Sequence, residues 1–178
     1  MFRGKKLKPP SDFTIRPTLG YVKESIFNVV RDEIVDAKVL DLFSGTGSLG
    51  IESLSRGCEL VYFVDKSFKA IKLIEYNTSN LKNIENKYKI IRSDVLEFIK
   101  KFDKFVWDII FVDPPYKIDC NIMKDIFKIL AGKKVTKSDT IIIYEYFSKR
   151  NICNEIKSLR VIKESFFGDK IVSYLMTL

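Results

Sequence analysis

The sequence predicts an α/β fold: a Rossmann-like, mostly parallel seven-stranded sheet with helices on both faces and an antiparallel last strand. Three features carry that expectation. Short apolar runs alternate with segments of helical periodicity along most of the 178 residues, the signature of βαβ units. Those runs are close to continuously apolar, as strands covered on both faces are. The last two, 159–167 and 170–178, are separated only by Gly168 and Asp169, a hairpin signal that makes the pair antiparallel.

Residues 1–17 hold Arg3, Lys5, Lys6 and Lys8 with Pro9, Pro10 and Pro17 and read as a basic extended arm, ahead of a single domain at 18–178. Thr18 stands where a helix N-cap belongs, and Val22, Ile26, Phe27 and Val30 recur at helical spacing to about residue 31. KVLDLF (38–43) is the first strand; a glycine-rich turn and a helix to Ser55 follow, stopped at Gly57. LVYFVD (60–65) is a strand, 67–82 an amphipathic helix, 88–94 a strand and 95–102 a short helix. WDIIFVD (107–113) is a strand, 121–132 a helix and 139–147 a strand. Trp107, Tyr144, Tyr146 and Phe147 read as core and sheet packing. The pairs Lys100-Lys101 and Lys133-Lys134 read as helix ends, where cations suit the dipole.

Lysine and arginine total 31 against 23 acids, a net charge of +8 that favours an anionic partner such as nucleic acid. No histidine is present, which excludes Ser-His-Asp and Cys-His triads and histidine zinc sites. Cys58, Cys120 and Cys153 are far apart and form no C-x-x-C, the usage of a reduced, intracellular protein without a metal site. No apolar run approaches the roughly 20 residues that cross a bilayer, and no signal peptide is evident. A cytoplasmic monomer is the expectation.

DLFSGTGSLG (41–50) follows the first strand and opens a helix. Gly45, Gly47 and Gly50 match G-x-G-x-x-G in the context a nucleotide-binding loop requires. A dinucleotide would lay a pyrophosphate here. S-adenosylmethionine has no phosphate but an amino-acid end and a sulfonium, and the acid ahead of the glycines, Asp41, suits such a cation. Ser44 and Thr46 add hydroxyls to the loop. The second strand ends at Asp65, 20 residues beyond Gly45, where an acid accepts ribose hydroxyls. The third ends at Asp94, placed either to accept from an adenine amino group or to cap the next helix.

The fourth strand ends in Asp113, Pro114, Pro115 and Tyr116. Two prolines fix the backbone and remove two N–H donors. What remains is acceptor-rich: the Asp113 carboxylate and the Pro114 carbonyl. Two acceptors can hold both hydrogens of an amino group and turn its lone pair toward an electrophile, a matter of positioning and electrostatics. Asp113 can also take the proton released. Tyr116 offers a stacking face for a base, worth roughly 1–3 kcal/mol in nucleic-acid complexes.

With these motifs in order, the chain resembles the class I S-adenosylmethionine-dependent amino-methyltransferases. RPTLGYVKESIFNVV (16–30), DLFSGTGSLGIESLSRG (41–57) and FVDPPY (111–116) together resemble more closely the bacterial 16S ribosomal RNA guanine-N2 methyltransferases. The resemblance implies S-adenosylmethionine as cofactor, held by Asp41, Gly45, Gly47, Asp65 and Asp94. It implies a flipped guanine whose amino group meets Asp113, Pro114 and Tyr116, with Arg16 and Thr18 near the mouth. Arg3, Lys5, Lys6 and Pro115 are the further candidate substrate contacts, and 16S rRNA or an assembling small subunit is the expected partner. Three departures stand out, the first being that the family usually carries a further short strand ahead of RGKKL, where here Met1 and Phe2 lead straight into Arg3. Phe63 occupies a position where relatives often carry an acid, and Tyr116 one where they often carry phenylalanine.

Guanine as the target rests on the resemblance alone. The motif chemistry equally allows an adenine-N6 methyltransferase, although no target-recognition domain is evident. The literal glycine pattern allows an NAD(P)-dependent oxidoreductase, which leaves D-P-P-Y without a role. A non-enzymatic RNA-binding module is the fourth alternative, and the intact loop and Asp113 speak against it.

Overall fold

The computed structural model describes residues 7–9, 20–79, 81–132, 134–150 and 158–178. Their order is α1 (Gly20–Val29), β1 (Lys38–Leu42), α2 (Ser48–Ser55), β2 (Leu60–Asp65), α3 (Phe68–Ser79) and β3 (Tyr88–Arg92), then α4 (Val95–Lys101), β4 (Trp107–Val112), α5 (Cys120–Ala131), β5 (Thr136–Phe147), β6 (Leu159–Phe167) and β7 (Lys170–Thr177). Every expected element is present. Thr18, the expected cap of α1, lies outside the described residues. No described helix is long and apolar enough to cross a membrane.

The sheet runs β3-β2-β1-β4-β5-β7-β6. β1 pairs in parallel with β2 and β4, β2 with β3, and β4 with β5. β7 is antiparallel to both β5 and β6. The antiparallel strand is thus the last in the chain, as expected, but β6 rather than β7 closes the edge. β6 carries Arg160, Lys163 and Glu164 exposed along its length, charges that blunt an open edge. Strand order reverses between β1 and β4, which makes the crevice above their C-terminal ends the binding position of an open α/β sheet.

β5 begins three residues earlier than its apolar run suggests. Thr136 pairs with Trp107 and Ile141 with Ile109, so the polar residues between them form an irregularity in the ladder. The Thr140 hydroxyl accepts from Lys137 N–H at 2.8 Å and donates to the Trp107 carbonyl at 2.6 Å. The backbone groups freed by the bulge are thereby satisfied, which lets a turn-like stretch sit in a sheet.

Alternation along the strands divides the core in two. Leu40, Leu42, Tyr62, Val64, Trp107 and Ile110 face α4 and α5. Val39, Phe63, Ile109 and Phe111 face α1, α2 and α3. α5 buries Met123, Ile126, Phe127 and Leu130 on one stripe, and Phe127 meets Tyr144 edge-on at 5.0 Å. At the C-terminal end of α4, Lys101 pairs with Glu97 at 3.3 Å and Lys134 donates to the Lys100 carbonyl at 3.2 Å. Lys100 and Lys101 end α4, as expected, while Lys133 lies outside the described residues.

Phe63 shows why no acid stands at its position. It is fully buried against α2, and a Cβ built on Gly50 falls 2.2 Å from its ring and 2.8 Å from Val61. The third glycine of the motif exists so that α2 can lie on β2. Gly50→Ala is expected to cost about 1–3 kcal/mol by overpacking. Combined with Phe63→Leu it should cost less than the sum of the two. Urea denaturation of the four-member cycle checks this; strict additivity would contradict the contact.

Candidate active site

The glycine loop leaves β1 through an unusual backbone. Phe43, Gly45 and Gly47 have φ of 58°, 52° and 76°. Glycine takes such angles freely, whereas for Phe43 the left-handed region costs roughly 1–2 kcal/mol. Strain of this kind persists only where the surroundings over-determine it.

Ser44 is the bolt that does so. Its N–H donates to the Val64 carbonyl at 3.2 Å, and its hydroxyl accepts from Val64 N–H at 2.8 Å and donates to the Asp41 carbonyl at 2.5 Å. The Ser44 hydroxyl, expected to face a ligand, is instead buried and consumed in joining β1 to β2. Ser44 thus positions the loop at which it was expected to meet a ligand.

Asp41 lies beneath the loop, 2 % exposed. Its Oδ2 accepts from Gly50 N–H at 3.0 Å. α2 has Gly47 at its N-cap and hence no side-chain cap. The strand's carboxylate supplies one in its place, satisfying a first-turn N–H and meeting the positive end of the helix. Burial raises the Asp41 pKa well above the ordinary carboxylate value, the Gly50 hydrogen bond opposes that, and the carboxylates of Asp113 and Asp65 push it further up. The ends of β1, β2 and β4 therefore place three acids within electrostatic reach of one another.

Asp65 uses both oxygens. Oδ1 accepts from Ser67 N–H at 2.8 Å and Oδ2 from Gly45 N–H at 3.0 Å. Thr46 is buried, and its carbonyl accepts from Asn77 Nδ2 at 3.1 Å. Asn77 Oδ1 in turn accepts from the Lys8 backbone N–H at 2.9 Å, while Lys8 Nζ stands 4.5 Å from the Tyr76 ring centre. One buried amide on α3 thus connects the described piece of the basic arm to the glycine loop. Nothing in helical periodicity singles out Asn77.

Asp94 is the N-cap of α4, its Oδ1 accepting from Leu96 N–H at 2.9 Å and Glu97 N–H at 3.3 Å. Of the two roles its position allowed, the cap is the one the structure shows; the side chain is exposed at the rim. Cys58 is buried and its thiol is pushed up to about 12, which removes it as a nucleophile. Arg3, Lys5, Lys6, Arg16 and Thr18 lie outside the described residues, as does Cys153.

On the neighbouring strand, Asp113 and Pro114 are half-buried while Pro115 and Tyr116 are exposed. The Pro115 carbonyl accepts from Ile118 N–H at 3.0 Å, closing the turn. Tyr116 stands edge-on to Phe147, with ring centres 4.6 Å apart and planes at 84°. Phe147 ends β5, beside β4, so a residue expected only to pack the sheet belongs to the rim of this site. Its signal was positional: it ends the strand that neighbours the D-P-P-Y strand.

The family described as Conserved hypothetical protein 95 matches residues 1–176. A Bacillus subtilis protein named as a candidate rRNA methyltransferase is 33 % identical over 170 residues, covering 93 % of this chain and 90 % of that protein. The ribosomal RNA small subunit methyltransferase D of Buchnera aphidicola (from Acyrthosiphon pisum) is 32 % identical over 150 residues, covering 84 % and 76 %. The chain belongs to the small subunit methyltransferase D family. Among solved structures, a Haemophilus influenzae protein described as a candidate methylase is 26 % identical with a TM-score of 0.76, covering 89 % of this chain and 97 % of that one. A candidate methyltransferase of Escherichia coli superposes with a TM-score of 0.85 over 98 % of this chain at 24 % identity, a likeness of fold. The fold is that of a class I methyltransferase, and in this family's terms the crevice above β1 and β4 is the candidate active site.

The state of Asp41 yields a pH prediction. Its folded pKa lies above the unfolded value of about 3.9, so between the two the folded chain holds more protons than the unfolded one. Its contribution to stability therefore falls as pH rises through that interval. Asp41→Asn keeps an acceptor for Gly50 N–H and removes the charge. The variant should match the wild type in thermal stability near pH 4 and exceed it at pH 8. A deficit that grows with pH would contradict the assignment.

Proposed function

We propose that this chain transfers a methyl group from S-adenosylmethionine to the exocyclic N2 of a guanine in 16S ribosomal RNA, free or within an assembling small subunit. The reading takes the protein as a cytoplasmic monomer, with residues 1–17 as an RNA-gripping arm on one catalytic domain. The observation that carries it is the joint position of the acid-lined glycine loop and the D-P-P-Y turn at the switch point of the sheet. Guanine, and the ribosomal RNA itself, come from the family to which the chain belongs.

The residues fit the cofactor. Gly45 and Gly47 leave the loop without side chains, and Asp41, flanked by Asp65 and Asp113, is a buried carboxylate whose charge a cationic ligand would stabilise. A dinucleotide pyrophosphate would meet repulsion from the same acids. The cofactor supplies an electrophilic methyl group on a sulfonium. Gly45, Thr46, Gly47 and Asp65 would hold its nucleoside and amino-acid ends, with Asp94 at the rim. Asp113 and the Pro114 carbonyl accept the two hydrogens of the target amino group and orient its lone pair. Tyr116, beside Phe147, stacks on the flipped base. Asp113 accepts the proton that leaves nitrogen as the new N–C bond forms. Arg3, Lys5, Lys6 and Arg16 would grip phosphate, and binding would weaken as salt rises.

Transfer from labelled S-adenosylmethionine to small subunits lacking the modification, with nucleosides identified by mass, tests this reading. N2-methylguanosine is the expected product. Asp113→Ala should lower the rate by roughly 10²–10³-fold, the scale of one lost electrostatic contact in a dry site, while cofactor binding persists. N6-methyladenine as the product would overturn the choice of base and keep the mechanism.

A further inference from the structure

The mechanism above leaves one buried charged group without work. Glu145, on β5, is 5 % exposed, and its Oε2 is buried without a hydrogen-bond partner among the described residues. Buried carboxylate oxygens are costly to leave unpaired, so such a group calls for an explanation. Its Oε1 is held by the ammonium of Lys170, itself 5 % exposed, at the start of β7.

The register places this carboxylate. Phe111 pairs with Ile143 and Val112 with Tyr144 across the parallel β4–β5 ladder. The ladder ends at that pair, and Asp113 and Glu145 are each the next residue along the chain. Both follow the parity of Phe111 and Ile143, the face toward α1, α2 and α3. Asp41 lies on that face too, paired with Phe111. Lys170 pairs with Phe147 across β5–β7, and its ammonium lies 5.9 Å from the Phe147 ring centre. Lys170, which holds Glu145, therefore lies beside the Tyr116–Phe147 ring pair, and Glu145 follows the ladder position that on β4 leads into Asp113. Among the described residues no group of acids is arranged to hold a metal ion.

An acceptor beside Asp113 meets whatever adjoins the target amino group. In guanine the neighbour of the N2 amino group is N1–H, a donor, with the O6 acceptor beyond it. In adenine and cytosine the ring nitrogen beside the amino group is an unprotonated acceptor. A carboxylate next to Asp113 thus welcomes guanine and repels the other two, and an ammonium beyond it suits O6. We propose that Glu145, oriented by Lys170, is the specificity-determining residue that accepts guanine N1–H, and that Tyr116 rotates from its edge-on position to admit the base. This rests on the guanine reading above and supplies it with a residue.

The test uses small subunits reconstituted with guanine or 2-aminopurine at the methylated position. 2-Aminopurine keeps the amino group, replaces N1–H by an acceptor and lacks O6, so it removes the features assigned to Glu145 and Lys170 together. Wild-type protein should prefer guanine by roughly 10²-fold or more in kcat/KM, since a site built around a donor rejects its absence strongly. Glu145→Gln should lose most of its activity on guanine and compress that preference toward unity. Because this change leaves Lys170 uncompensated, the paired variant Glu145→Gln/Lys170→Met, which removes both charges, reads the same ratio. Equal rates on the two bases with the wild type would overturn the proposal with no variant needed. So would a preference unchanged in a variant that still binds S-adenosylhomocysteine. Absence of N2-methylguanosine from wild type on guanine subunits would instead sink the underlying reading.

Discussion

A carboxylate buried at the end of a strand has to be held, and the rest of this site is arranged around how Asp41 is held. The N-terminus of α2 does it through Gly50 N–H at 3.0 Å. That contact requires α2 to start immediately after the loop, and the loop to turn within a few residues. Hence the left-handed backbone at Phe43, Gly45 and Gly47, and hence the Ser44 bolt that holds it. Gly50 and Phe63 then set how closely the helix lies on β2. What results is a pre-organised turn with an under-neutralised acid beneath it, poised for a positive ligand.

The second constraint is the parallel register. It brings the ends of β1, β2, β4 and β5 to one level, so residues far apart in the chain become neighbours on one face. Asp41, Asp65 and Asp113 owe their proximity to this and to nothing local. The hairpin at the other side of the sheet adds Lys170 to the same level through antiparallel pairing with β5. A doubly wound sheet is suited to such chemistry because each strand end contributes one side chain while the helices keep the strands in place.

Much of this was legible in the sequence. Continuous apolar runs and helical spacing located the elements, and motifs placed at strand ends located the crevice. Other features were not, for physical reasons. Residues 136–138 look like a turn, and it is the Trp107 N–H bond to the Val135 carbonyl together with Thr140's bridge to the Trp107 carbonyl that holds them in the sheet. Ser44 looked like a ligand hydroxyl because nothing local reveals that Val64 claims it. Asn77 and Glu145 act through partners 31 and 25 residues away, Thr46 and Lys170. Phe147 read as packing because its neighbour across the sheet, not its own segment, decides its role. Long-range pairing is what a one-dimensional pattern omits.

The central claim is that the acid-lined loop is built for a cationic cofactor and not for a dinucleotide phosphate. Calorimetric titration of the full chain and of its Asp41→Asn variant with S-adenosylmethionine and with NAD tests it most directly. The account predicts saturable binding of S-adenosylmethionine that Asp41→Asn weakens, and no binding of NAD. Saturable binding of NAD, or S-adenosylmethionine binding left unchanged by Asp41→Asn, would contradict it.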